Sequence, residues 1–84
     1  MDIKSFHTKL DNKGGLFEIV ALKDSLLTVK VLDTDGRIAQ TIKTKVERGN
    51  QALFVNFSGL HSGNYVINAF AGGMFVKSIR FHID

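Results

Sequence analysis

Short runs in which apolar and polar residues alternate most constrain the fold of this chain. Within residues 26–32, Leu27, Val29 and Val31 fall on one face and polar residues separate them. A repeat of two residues is typical of a half-buried strand. No window keeps the apolar spacing of a helix, and the only helix-like piece is a single turn at residues 58–62. We therefore predict an all-β chain.

Turn-forming residues separate these runs about every eight to twelve residues. Asn, Asp and Gly favour the tight turns that end strands. Six or seven short strands joined in this way predict one domain over residues 1–84, a small antiparallel β-sandwich of the immunoglobulin-like kind. The predicted breaks lie at residues 11–15, 23–25, 33–36, 47–50 and 72–73.

Two of these breaks predict hairpins. At residues 33–36, the Asp33 side chain can bond the backbone of its own turn and Gly36 supplies a positive φ. Gly72 and Gly73 suit a type I′ turn between the last two strands. In the strand that follows Gly36, we expect Ile38 and Ile42 on one side with Gln40 between them. We expect Phe17 and Ile19 to point into the core.

The stretch 57–65 joins the earlier strands to the final hairpin. Gly59 and Gly63 are expected to let the chain turn, and Leu60 to plug the end of the core. Tyr65 is expected to begin an inward face, where its hydroxyl needs a hydrogen-bond partner. This stretch therefore reads as a structural corner.

Size and composition narrow the possible functions. A chain of 84 residues buries a modest core and leaves little room for a deep pocket. The net charge of +3 is spread along the chain, which is a poor footprint for nucleic acid. No apolar run is long enough to insert into a membrane, and the first residues do not begin a signal peptide. With no Cys, neither a disulfide nor a thiolate metal site is possible.

No motif for catalysis, a cofactor or a metal emerges. Asp33 and Asp35 resemble the start of a calcium loop, but Arg37 occupies a ligand position and no distant Glu follows. The pair of Ser62 and His61 lacks the third group and the oxyanion hole of a triad. The three histidines, His7, His61 and His82, match no zinc-ligand spacing. We therefore expect no enzyme.

The order of several pieces resembles a known family. The pieces are residues 29–37 (VKVLDTDGR), the Gly-Asn turn at 49–50, residues 55–67 (VNFSGLHSGNYVI) and residues 77–81 (KSIRF). Together they resemble the C-terminal sorting domain of type IX (Por) secretion cargo, whose pattern includes small-Gly-Leu-x-x-Gly-x-Tyr. That resemblance covers most of the chain.

The resemblance implies a non-catalytic module at the C-terminus of a larger secreted protein. Its expected partners are a secretion-apparatus protein at the outer membrane and an upstream cargo domain in the same polypeptide. The expected destination, after transit through the periplasm, is the cell surface or the medium. Candidate sorting-motif residues, matched position by position, are Asp33, Gly36, Gly59, Leu60, Gly63, Tyr65, Lys77 and Arg80.

We expect the apparatus to contact the exposed final hairpin. An alternative is a structural or carbohydrate-binding immunoglobulin-like accessory domain of a large surface protein. Sugar binding would call for an exposed aromatic platform, and the chain has no Trp and a single Tyr.

Overall fold

A computed structural model of the chain describes residues 1–8, 14–57 and 59–84. The regular structure of these residues consists of seven strands. Within the same ranges, no helix is long and apolar enough to cross a membrane. The strands are β1 (Asp2–Thr8), β2 (Gly14–Ala21), β3 (Ser25–Leu32), β4 (Ile38–Val46), β5 (Gly49–Asn56), β6 (Gly63–Ala71) and β7 (Met74–Ile83).

The strands form two antiparallel sheets that face each other. One sheet has three strands in the order β1-β2-β5, and the other has four in the order β4-β3-β6-β7. The chain passes from one sheet to the other after β2, β4 and β5. The predicted all-β sandwich of the immunoglobulin-like kind is confirmed.

The core lies between the inner faces of the two sheets. Phe17 and Ile19 of β2 are fully buried, as are Leu27, Val29 and Val31 of β3, so both predicted inward faces are confirmed. An aromatic cluster occupies the space between the sheets and is built from Phe6, Phe17, Phe57, Tyr65 and Phe81.

The predicted break at residues 11–15 is wrong at its last two positions. Residues 11–13 lie outside the described residues, while Gly14 and Gly15 begin β2 and are buried. A Cβ at Gly15 would lie 2.3 Å from the Phe6 ring, and one at Gly14 would lie 2.5 Å from the Val55 carbonyl oxygen. These glycines therefore make room for close packing instead of turning the chain.

Both predicted hairpin turns are confirmed. Gly36 adopts a φ of +80°, and Gly72 and Gly73 adopt φ values of +56° and +83°, which glycine adopts readily. In the stretch 57–65, the Leu60 amide donates to the Phe57 carbonyl across 2.9 Å and forms a turn. The expected helical turn at residues 58–62 begins at Ser58, which lies outside the described residues.

One predicted face is wrong because of a register shift. Gln40 and Ile42 point inward, but Ile38 is 57% exposed. The pairing of β3 with β4 shifts between Val31 and Leu32, so Ile38 pairs with Leu32 on the outer face. One extra residue in a strand reverses the face of the residues beyond it.

Polar side chains connect the two sheets at both open sides of the sandwich. On one side, Gln40 Nε2 of β4 donates to the Asn56 carbonyl of β5 across 2.7 Å. On the other side, Lys77 Nζ of β7 donates to the Ile3 carbonyl of β1 across 3.1 Å. Each bond joins an edge strand of one sheet to an edge strand of the other.

Candidate functional site

The Gly-x-Tyr element forms the corner where the chain leaves β5 and enters β6. The Tyr65 hydroxyl donates to the His61 carbonyl across 2.6 Å, which supplies the partner that the sequence called for. The Tyr65 ring stacks on Phe81 with 5.6 Å between centroids. A tyrosine that bonds the backbone a few residues upstream is a recurring corner of immunoglobulin-like sandwiches. The element therefore fixes the entry into β6.

The remaining residues of this corner are Gly59, Leu60 and Gly63, and the two glycines differ in their surroundings. Gly63 adopts a φ of +148°, and Leu60 packs against the core as predicted. A Cβ at Gly59 would meet nothing within 4 Å. The backbone conformation thus calls for glycine at position 63, and there is space for a side chain at position 59.

The hairpin element uses its carboxylate to hold the turn between β3 and β4. Asp33 Oδ1 accepts the amide of Asp35 across 2.9 Å and that of Arg37 across 3.0 Å. The Gly36 amide also donates to the Asp33 carbonyl across 3.1 Å. This carboxylate therefore stabilises the turn through hydrogen bonds to the backbone. Across the described ranges, no three His, Cys, Asp or Glu side chains lie close enough to hold a metal ion.

Three of the predicted residues meet at one end of the four-stranded sheet. Asp33, Tyr65 and Arg80 line the same shallow groove. They meet because Leu32 pairs with Val66, and Val66 pairs in turn with Arg80. The other residues that line the groove are Thr34, Asn64, Val66, Phe81 and His82.

The two basic candidates of β7 lie on opposite faces of that strand. Lys77 pairs with buried Ala69, so its side chain starts from the inner face and reaches β1. Arg80 pairs with Val66 on the outer face and is exposed. Within the described residues, Arg80 has no ion-pair partner. Both residues are exposed, but the Lys77 ammonium already bonds the Ile3 carbonyl, so Arg80 is the candidate whose side chain starts from the outer face.

Hydrogen bonds order the outer face of the hairpin formed by β6 and β7. Ser78 Oγ donates to Asn68 Oδ1 across 2.8 Å. His82 Nδ1 lies 2.8 Å from Asn64 Oδ1, and its Nε2 lies 3.1 Å from Asp84 Oδ1. The bonds from Ser78 and His82 to β6 are cross-strand pairs, which help to hold β6 and β7 together.

Exposed aromatic rings do not form one platform. Phe75 is 60% exposed on the four-stranded sheet, where it meets Phe70 edge to face at 5.8 Å. Phe54 is 51% exposed on the other sheet. The edge-to-face pair presents no flat surface of rings and Phe54 lies on the other sheet, so these positions give no support to the carbohydrate-binding alternative.

Several structural residues were missed in the sequence. Gly14, Gly15 and the bond from Gln40 depend on contacts between strands that are distant in sequence. The only signal for Gln40 was a polar residue at an inward position of an alternating run. A polar side chain at such a position must find a partner when the sheets close over it.

The fold and this surface define a small immunoglobulin-like sandwich whose motif residues shape a corner, a hairpin and an exposed edge. The sequence model of a family described as the secretion system C-terminal sorting domain matches residues 14–81. The chain belongs to this family, the sorting domains of type IX secretion cargo. No curated protein and no solved structure matched the chain.

Membership of the family establishes the role of the chain. It is a sorting module that the type IX machinery recognises, and it directs export to the cell surface or the extracellular space. The family is one of sorting signals and is not known for catalysis.

Proposed function

We propose that an outer-membrane protein of the secretion apparatus reads this domain through the outer face of the hairpin formed by β6 and β7, with Arg80 as the central contact. The domain itself is non-catalytic. It acts as the C-terminal module of a larger polypeptide, and an upstream cargo domain is carried with it. The single observation that carries the proposal is the exposure of Arg80 on a motif-bearing hairpin with no ion-pair partner in the described residues.

The surroundings of Arg80 support its part in recognition. It shares a groove with Asp33 and Tyr65, which are held in place by the turn and the corner. A guanidinium group presents a rigid fork of donors that suits a carboxylate of a partner. The other motif residues thus fix the backbone around the groove, and Arg80 is the side chain that contacts the partner.

The division of labour between the motif residues follows from their contacts. Asp33, Gly36, Gly63 and Tyr65 hold the backbone, and Lys77 connects the sheets. Changes at these positions act on export through folding. A change at Arg80 acts on export without a matching loss of stability.

The test is a fusion of residues 1–84 to a periplasmic reporter in a bacterium that has the apparatus. We expect export of the unaltered fusion and a loss of about tenfold or more for Arg80→Ala, since hot-spot arginines commonly contribute about 2 kcal/mol. Arg48→Ala is the matched control, because Arg48 lies between β4 and β5 and outside the hairpin. Both variants should melt like the unaltered domain. Equal export of the two variants would show that Arg80 is not read.

A further inference from the structure

The four-stranded sheet has an unbalanced charge. Its strands contain five Lys or Arg residues and no Asp or Glu. Four of these cations lie on the outer face, and Lys77 is the exception. The four, which we call the basic face, are Lys30, Lys43, Lys45 and Arg80.

Strand register places the three lysines of the basic face as neighbours on one surface, with Arg80 on the same face two strands away. Lys43 and Lys45 are two residues apart on β4, which sets them about 7 Å apart. Lys43 pairs with Thr28 and Lys30 pairs with Thr41, so Lys30 and Lys43 are diagonal neighbours at about 7–8 Å. Like charges at this spacing repel one another, and an acidic partner would relieve that repulsion.

Within the described residues, no member of the basic face forms an ion pair. Where the structure describes the chain, the ion pairs are Lys4 with Asp2 at 3.0 Å and His82 with Asp84 at 3.1 Å, and neither includes a member of the face. Lys30 instead lies 5.4 Å above the Phe70 ring. Its ammonium group is held by a cation–π contact, which leaves it free to pair with a carboxylate.

The opposite sheet has a different electrostatic character. Its strands contain Lys4 against Asp2 and Glu18. The Lys4 ammonium donates a hydrogen bond to Asp2 and, with its charge, lowers the pKa of that carboxyl. Lys4 is therefore already paired, whereas the cations of the basic face have no ion pair among the residues that the structure describes.

We propose that the basic face binds an acidic surface on a protein of the secretion apparatus. This inference rests on the proposed function and extends the contact from Arg80 across the sheet to β4. The same outer face also carries the aromatic pair of Phe70 and Phe75 and the hydrogen-bonding pair of Asn68 and Ser78. Aromatic residues and arginine are enriched in protein interfaces. Membrane surfaces instead select denser clusters of lysine and arginine.

Charge reversal at β4 tests the inference. The variant Lys43→Glu with Lys45→Glu is compared with Lys23→Glu plus Arg48→Glu, which changes the net charge equally but lies outside the sheet strands and outside the motif pieces. In the reporter fusion, we expect the first variant to lose about tenfold or more of the exported fraction and the second to stay within about twofold. The variant Lys43→Arg with Lys45→Arg keeps both positive charges and should be exported like the unaltered fusion. Melting curves of the purified domains check that all variants fold.

The outcomes separate this inference from the proposed function. Export of the unaltered fusion with equal export of both reversed variants would overturn the acidic partner and leave the proposed function standing. Retention of the unaltered fusion in the periplasm would overturn both. Loss of export for the first variant alone would support the acidic partner.

A second experiment tests whether the basic face binds an anionic membrane surface instead of a protein. The purified domain is sedimented with vesicles of phosphatidylglycerol and phosphatidylcholine. We expect no lysine-dependent binding at physiological salt. Binding that the Lys43→Glu and Lys45→Glu changes abolish would overturn the protein partner in favour of an anionic lipid surface.

Discussion

The ammonium group of Lys77 donates to the backbone carbonyl of Ile3 across 3.1 Å, and this bond joins the last strand of the sandwich to the first. The two residues are 74 positions apart in the sequence. An inward-pointing charge on an edge strand also opposes pairing with the edge of another sheet, which is one way in which β proteins avoid aggregation. Lys77 thus contributes to the closed form of the domain.

The first prediction concerns this bond. Lys77→Met keeps the aliphatic stem and removes the donor, so we expect the free energy of unfolding to fall by about 0.5–1 kcal/mol. For a domain of this size, each kcal/mol corresponds to about 4–8 °C in Tm. Lys43→Met is the matched control, because Lys43 is an exposed cation without such a bond. Equal denaturation midpoints for the two variants would show that the Lys77 bond contributes nothing to stability.

The second prediction concerns the corner at Tyr65. Tyr65→Phe keeps the ring on Phe81 but removes the 2.6 Å bond to the His61 carbonyl, so we expect a loss of about 1 kcal/mol. Chemical denaturation measures the loss. We expect export to fall only in proportion to the loss of stability, because the hydroxyl bonds the backbone of the corner and does not contact the apparatus. A tenfold loss of export at unchanged stability would instead identify the hydroxyl as a contact of the apparatus.

The third prediction compares two glycines. Gly14→Ala would place a Cβ 2.5 Å from the Val55 carbonyl oxygen and 2.4 Å from the Phe54 ring. Because the backbone must move, we expect a loss of about 1–3 kcal/mol. Gly59→Ala meets nothing within 4 Å and serves as the control, with a change within about 0.5 kcal/mol. Comparable thermal midpoints for the two variants would contradict the packing at Gly14.

Local pattern predicted the elements well and the contacts between them poorly. Alternation identified the inward face of Leu27, Val29 and Val31 because a strand with one buried face shows its period directly. The outward position of Ile38 was missed, since a register shift leaves no mark in the spacing of apolar residues. Gly15 looked like a turn residue because its reason for being glycine is the Phe6 ring of another strand.

The candidate site residues also divide into those whose role local sequence indicates and those whose role depends on distant strands. The resemblance to the family identified Asp33 and Tyr65, and the residue types already implied a turn and a hydroxyl bond. The sequence could not assign different tasks to Lys77 and Arg80, because the task of Lys77 depends on a carbonyl in the first strand. The basic face was missed for a related reason, as its members come to one face only when the four strands align.

The most direct test of the central claim is the fraction of a reporter found outside the cell when residues 1–84 are fused to its C-terminus. The measurement compares a bacterium that has the type IX apparatus with an otherwise identical strain that lacks it. We expect the reporter at the cell surface or in the medium of the first strain and in the periplasm of the second. Retention in the periplasm of both strains, with the domain folded, would contradict the account.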